Sequence, residues 1–79
     1  MTQTPDDRQI AETLMALAHE RGANATFCPS DAARRLSDDW RPLMPEVRRV
    51  AASLPLKATQ GGRPVDPMSA TGPIRLALA

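Results

Sequence analysis

Residues 39–54 read DWRPLMPEVRRVAASL and carry an apolar stripe with the spacing of an α-helix. At 100° per residue, four apolar side chains fall on one side of this helix. They are Leu43, Val47, Val50 and Leu54. The opposite side carries Arg41 and Arg48, with Arg49 beside them and no acidic residue. The pattern predicts a helix that packs into a small core and directs an arginine-bearing face outward.

Two prolines disturb the start of this helix. Proline is tolerated in the first turn of a helix but is costly in its interior. Pro45 would remove the hydrogen bond to the Arg41 carbonyl, so residues 39–43 form a separate turn or the helix is kinked there. We favour an irregular first turn followed by regular helix from about Pro45 to Ser53, in which case Arg41 leaves the arginine face.

The chain before this stretch predicts two further helices. The first spans about residues 6–21, with Thr4 or Asp6 as its cap and Gly22 just past its end. Its apolar stripe is Ile10, Leu14, Leu17 and Ala18. Residues 23–28 can form a brief extended stretch. The second helix spans about residues 30–36 with Pro29 or Ser30 at its start, and Asp39 is expected to cap the third helix.

The chain after Pro55 predicts strands. Residues 56–60 and 73–78 have strand character, residues 61–64 read as a turn, and residues 65–72 continue as loop. Two strands joined by a long polar loop form a hairpin with a wing. We therefore predict a mainly α protein with a small β-hairpin, a winged helix-turn-helix of three helices and a two-stranded wing. Residues 1–5 are expected to be a flexible N-terminus and residues 6–79 a single domain.

Composition narrows the class of protein. The 79 residues are 42% hydrophobic and 24% charged, typical of a folded soluble domain. Since there is one Trp and one Phe, we expect the core to consist of Leu, Val, Ile, Met and Ala. No apolar run is long enough to span a bilayer, and the N-terminus does not read as a signal peptide. The single cysteine cannot form an internal disulfide, so we expect a cytoplasmic protein.

The net charge of +1 conceals an asymmetry along the chain. Residues 1–33 carry two arginines and five acidic residues, whereas residues 34–79 carry eight basic and four acidic residues. Nine of the ten cations are arginine, which binds phosphate and carboxylate in a bidentate manner. The second half of the chain is therefore where an anionic partner is expected.

Several sequence blocks together resemble a family of small bacterial proteins catalogued as domain of unknown function 3253. The blocks are Cys28-Pro29-Ser30, Ala33-Arg34-Arg35-Leu36, Asp39 to Arg48, Gly62 to Pro67 and Gly72-Pro73-Ile74-Arg75. They occur in the same order over roughly residues 8–79. The resemblance implies a winged-helix fold and, by analogy of fold, DNA binding, but no catalytic residues. The chain departs from the family pattern at residues 54–57, where a few more residues and a glycine are expected.

Enzymatic chemistry has little support in the sequence. His19 fits the C-terminal end of the first helix as a cation there, and Cys28 reads better as a small buried residue than as a nucleophile. One Cys and one His make no zinc set. Asp38 and Asp39 are neighbours in a turn and read as capping residues. We therefore expect no catalytic residue, no metal, no cofactor, no small-molecule substrate and no membrane association.

The arginines remain as candidates for a binding surface. In a helix-turn-helix the second helix of the pair enters the major groove, and we expect the wing to touch the backbone. The candidate nucleic-acid-binding residues are Arg34, Arg35, Arg41, Arg48, Arg49, Lys57 and Arg63, with Arg75 as a further wing cation. Trp40 either stacks on a base or anchors the core. We expect double-stranded DNA as partner and a regulatory or accessory role in transcription. The alternative is a winged helix that binds another protein or a second copy of itself.

Overall fold

The computed structural model describes residues 4–79, which form three α-helices and a three-stranded antiparallel sheet. The elements in chain order are α1 (Asp7–Arg21), α2 (Pro29–Leu36), a 3₁₀ turn (Arg41–Leu43), α3 (Met44–Ala52), β1 (Leu56–Gln60), β2 (Arg63–Pro64) and β3 (Arg75–Leu78). This architecture confirms a mainly α protein with a small β region. Most of the predicted flexible N-terminus lies outside the described residues.

Helix α1 begins and ends at the predicted signals. The Asp6 carboxylate accepts a hydrogen bond from the Gln9 backbone N–H at 2.8 Å, and the Gln9 side chain accepts one from the Asp6 N–H at 2.9 Å. This reciprocal pair satisfies two of the donors that a helix start leaves without partners. At the other end Gly22 adopts a φ of 84°, which only glycine reaches without strain. The four predicted apolar residues of α1 are all buried.

The start of α3 confirms the predicted irregular turn. Arg41–Leu43 form a 3₁₀ turn, and the regular helix runs from Met44 to Ala52. Pro45 therefore falls in the first turn, where its missing N–H has no partner to lose. The prediction that Asp39 caps this helix is wrong, because no side chain caps the turn and the Asp39 N–H instead donates to the Ser37 hydroxyl at 3.1 Å.

The sheet contains one strand more than predicted. Residues 63–64, expected to belong to a turn, form β2, which pairs with β1 so that Gln60 lies opposite Arg63. The strand order is β2-β1-β3, and β1 pairs with β3 from Leu56–Leu78 to Thr59–Arg75. The two-stranded wing is therefore corrected to a three-stranded antiparallel sheet. Only residues 61 and 62 make the turn between β1 and β2, because both are glycines with positive φ.

The core includes an aromatic residue that composition argued against. Phe27 is fully buried, and none of the methionines among residues 4–79 is. Phe27 forms an isolated bridge with Leu76 in the extended stretch before α2, since its N–H donates to the Leu76 carbonyl at 2.8 Å and its carbonyl accepts from the Leu76 N–H at 2.7 Å. One residue of the segment between α1 and α2 thus attaches to the outer side of β3.

The junction between α3 and β1 is short. Ser53 ends the helix without a glycine, and the Leu54 N–H still donates to the Ala51 carbonyl at 3.2 Å. Only three residues separate Ala52 from Leu56. The departure from the family pattern is therefore accommodated by a tight turn. No helix within residues 4–79 has the length and apolar character required to cross a membrane.

Candidate nucleic-acid interface

Ion pairs gather around α1. Among residues 4–79 five ion pairs are present, and four of them contain a residue of α1. The four are Arg8–Glu12, Arg21–Asp31, Arg35–Glu20 and Arg49–Asp7. The fifth, Arg49–Glu46, shares its arginine with the fourth. The acidic first third of the chain therefore neutralises cations of α2 and α3 that were candidates for a DNA surface.

Two of the seven candidate residues, both arginines, are engaged by carboxylates in this way. Arg35 donates twice to Glu20, at 2.8 and 2.7 Å, and Arg49 donates twice to Asp7, at 3.0 and 2.7 Å. The hydrogen bonds from Arg49 and Arg35 lower the pKa of the Asp7 and Glu20 carboxyl groups, respectively. The same contacts raise the pKa of both guanidinium groups. Both arginines are therefore held against α1.

Two other candidates are brought together by Trp40. The guanidinium carbons of Arg34 and Arg41 each lie 4.6 Å from the centre of the Trp40 ring, a cation–π distance. Trp40 itself is half-buried and packs against the core. The core-anchor interpretation of Trp40 is confirmed, and its ring also orients two arginines that form no ion pair in the described chain.

Arg48 binds the loop between β2 and β3. Its guanidinium donates to the carbonyl oxygens of Ala70 at 2.8 Å and Gly72 at 2.6 Å. From the other side, the side-chain amide of Gln60 donates to the carbonyls of Thr71 at 2.6 Å and Pro73 at 3.1 Å. Four consecutive carbonyls are thus held alternately by α3 and by β1. A carbonyl oxygen bears no full charge, so the positive charge of Arg48 is retained at this junction.

The wing cations do not share one face of the sheet. Lys57 lies opposite Ala77 and Thr59 lies opposite Arg75, so Lys57 and Arg75 project from one face. Arg63 pairs with Gln60 and projects from the other face, the face of Gln60. Arg75 also donates to the hydroxyl and the carbonyl of Thr26, each at 3.0 Å. Of the three cations, only Arg63 lies on the side of the sheet from which Gln60 reaches the loop.

Two adjoining grooves are lined by some of these groups. The first, about 710 Å³, is lined by residues between α2 and the 3₁₀ turn, including Arg34, Asp38 and Asp39. The second, about 470 Å³, lies between α3 and the loop and is lined by Met44, Pro45, Glu46, Arg48, Arg49, Met68 and Ala70. Glu46 borders both grooves. The two grooves therefore meet at Glu46, an acidic residue that is paired with Arg49.

The histidine and the cysteine lie in surroundings that are typical of structural roles. His19 is exposed in the last turn of α1. Cys28 is half-buried at the start of α2, where the Ser30 hydroxyl donates to its sulfur at 3.1 Å and its N–H donates to the Asp31 carboxylate at 3.3 Å. Within residues 4–79 no group of three or more His, Cys, Asp or Glu side chains could hold a metal ion.

Two residues of this surface escaped sequence reasoning. The sequence predicts Gln60 only as part of a strand and Met68 only as part of a polar loop. The sequence carries no signal for the contacts of Gln60, because its partners lie 11 and 13 residues away in an irregular segment. The sequence does carry one signal for Met68: a methionine within a polar loop has nothing local to bury it, which indicates an exposed side chain.

Comparison with known proteins places the chain in a family. No match was found among curated proteins. The model of the family described as "Protein of unknown function (DUF3253)" matches residues 7–79, which is nearly the whole chain. The match agrees with the resemblance that the sequence blocks carry. The chain therefore belongs to the family described as Protein of unknown function (DUF3253).

Proposed function

We propose that this protein is a winged helix-turn-helix that binds double-stranded DNA through the region of α3 and the loop of the sheet. The order of elements supports this assignment, because α2 and α3 are joined by a short turn and are followed by β1, β2 and β3, with a long loop between β2 and β3. The bridge from Phe27 adds a further pairing at the outer side of β3. The proposal includes a bacterial regulatory or accessory role and a cytoplasmic location. A single cysteine, Cys28, forms no internal disulfide, which fits the reducing environment of the cytoplasm.

The observation that carries the proposal is that some basic residues form ion pairs with carboxylates and others do not. Among the described residues, six cations form no ion pair, and none of them belongs to α1. They are Arg34, Arg41, Arg48, Lys57, Arg63 and Arg75. Phosphate neutralisation by such side chains dominates the affinity of proteins for duplex DNA. The carboxylates of α1 therefore neutralise only part of the basic residues, and the unpaired cations on the other elements are available to a phosphate backbone.

Phosphate contacts are expected to outweigh base contacts. The two arginines of α3 already donate within the protein, Arg48 through two of its N–H groups to backbone carbonyls and Arg49 to two carboxylates, so few of their donors remain for bases. Arg34 and Arg41 are stacked on Trp40 and leave their outer edges to a phosphate. Arg63 extends this set toward the tip of the sheet. Binding with modest sequence preference therefore follows from this arrangement.

A fluorescence-anisotropy titration with generic duplex DNA at two salt concentrations tests the proposal. Contacts from Arg34, Arg41, Arg48 and Arg63 predict that the logarithm of affinity falls with the logarithm of salt with a slope of about −3 to −4. Arg63→Ala should reduce this slope by about one unit and weaken binding uniformly across sequences. Lys57→Ala should have a smaller effect, because Lys57 projects from the opposite face of the sheet.

Arg8→Ala is the matched control. Arg8 is an exposed arginine of α1 that is paired with Glu12. This substitution removes the same charge from the protein but should leave the salt slope unchanged. An equal loss in Arg8→Ala and Arg63→Ala would mean that net charge alone attracts DNA, and the absence of binding at low salt would refute the proposal.

A second candidate function is the binding of another protein or of a second copy. One observation favours it: Met68 is 62% exposed, the largest exposure of a large apolar side chain among residues 4–79. Exposed apolar surface often marks interaction sites between proteins. Sedimentation equilibrium over a range of concentrations distinguishes this function, because only self-association makes the apparent mass of the free protein rise.

A further inference from the structure

The groove between α3 and the loop has an apolar floor beside an unpaired cation. Its apolar lining comes from Met44 and Pro45 of α3 and from Met68 and Ala70 of the loop. Its charged lining comes from Glu46 and Arg49, which pair with each other, and from Arg48, which forms no ion pair in the described chain. A ligand that enters this groove should therefore place an apolar group against these side chains and a negative charge near Arg48.

Met68 is exposed on a backbone that is held in place. The Asp66 carboxylate accepts a hydrogen bond from the Met68 N–H at 2.9 Å, and the Asp66 carbonyl accepts one from the Ala70 N–H at 2.9 Å. Arg48 then binds the Ala70 carbonyl from the other side. The turn that carries Met68 is therefore fixed to α3, and its apolar side chain is presented to the groove without a protein partner to bury it.

Duplex DNA offers the matching chemistry. The C5-methyl group of thymine is the apolar group that the major groove exposes, and phosphates lie on both sides of that groove. Methionine is flexible and polarisable, so it adapts to an apolar group of uncertain position. We infer that the groove between α3 and the loop receives a thymine methyl group, with Met68 as the contacting side chain and Arg48 as the adjacent positive charge. This inference rests on the proposed DNA-binding function.

Replacing thymine by uracil isolates the methyl group. The experiment compares two labelled duplexes of identical sequence, one with thymine and one with uracil throughout, in the same anisotropy assay. Loss of one buried methyl group should weaken binding by a factor of about four, the equivalent of ~0.8 kcal/mol. The ratio should be the same at both salt concentrations, because the contact is apolar, whereas the affinities themselves should fall with salt.

Met68→Ala should bring the thymine-to-uracil ratio close to one while the salt slope is retained. The matched control is Ser69→Ala, at the next exposed position of the same turn, which should keep the ratio of the unaltered protein. Equal affinity of the unaltered protein for the two duplexes would overturn this inference and leave DNA binding in place. No binding to either duplex would refute the proposed function itself. Self-association that Met68→Ala abolishes would assign the groove to a second copy and overturn the inference.

Discussion

Phe27 shows how much one residue can contribute to this fold. It lies in the segment between α1 and α2, forms both backbone hydrogen bonds with Leu76 and has a fully buried ring. Its ring is the largest of the fully buried side chains. The single Phe was not predicted as a core residue, because composition gives the number of aromatic residues but not their burial.

Substitution of Phe27 should test this contribution directly. Phe27→Ala should lower the free energy of unfolding by about 3–5 kcal/mol, because a buried aromatic ring is replaced by a cavity. A chain of this length has a total stability of only about 4–12 kcal/mol, so Phe27→Leu, expected to cost about 1 kcal/mol, is the milder variant that should remain folded. Urea unfolding followed by Trp40 fluorescence measures both. Met68→Ala is the exposed control and should change stability by less than about 0.5 kcal/mol.

In the loop between β2 and β3, side chains supply the hydrogen-bond donors that a neighbouring strand would supply in a sheet. The carbonyls of residues 70–73 have no sheet partner, and Arg48 and Gln60 donate to them instead. Charged donors such as the Arg48 guanidinium make the stronger of these hydrogen bonds. The loop is therefore part of the folded structure, attached to α3 on one side and to β1 on the other.

Removal of the Arg48 guanidinium should release this loop. Arg48→Met keeps the length of the side chain but loses both hydrogen bonds, and it should cost about 1.5 kcal/mol of stability. This total is only about the lower end of the range for a single hydrogen bond to a charged group, because water can reach both freed carbonyls. Hydrogen exchange of the backbone amides of residues 68–72 should accelerate, whereas Arg8→Met should leave it unchanged. Unaltered exchange in Arg48→Met would show that Gln60 and Asp66 hold the loop without Arg48.

At the scale of the whole molecule, α1 acts as an acidic element to which α2 and α3 are tied. Arg35 joins α2 to Glu20, and Arg49 joins α3 to Asp7, across 15 and 42 residues of sequence. Both pairs are exposed, so each contributes little at high ionic strength. Their common effect is to make stability depend on the charge of two carboxylates.

Stability should therefore decrease in acid. The pKa values of Asp7 and Glu20 are lowered in the folded protein from their ordinary values of 3.8 and 4.5. The unfolded chain then binds more protons in this range, so the stabilisation is complete above pH 4.5 and is lost as the pH falls through the lowered pKa values. Unfolding measured from about pH 6 to pH 3 should show a shallower decline for Asp7→Asn with Glu20→Gln. About 1 M salt should reduce the difference, because it screens exposed pairs.

The sequence predicted those parts of the structure that local patterns determine. The stripes of α1 and α3, the cap at Asp6, Gly22 and the irregular turn before Met44 all follow from residues close in the chain. Strand β2 was missed because two exposed residues have no periodicity. The pairing of Arg49 with Glu46 is local, but the loop partners of Arg48 and the pairing of Arg49 with Asp7 could not be predicted, because they depend on how distant elements pack. The sequence shows where the basic residues lie along the chain, but it does not show which of them form ion pairs with carboxylates.

The edges of the sheet have a consequence for aggregation. In the described chain, one edge is β2, which has two residues and ends in Pro64, and the other is the single bridge at Phe27, followed closely by Pro29. An exposed edge is a template for adding strands from other molecules, and short edges with proline remove that template because proline lacks the N–H donor. Fibril growth from the native state therefore has only short edges to extend, so β-rich aggregates of this protein should form mainly after the chain unfolds.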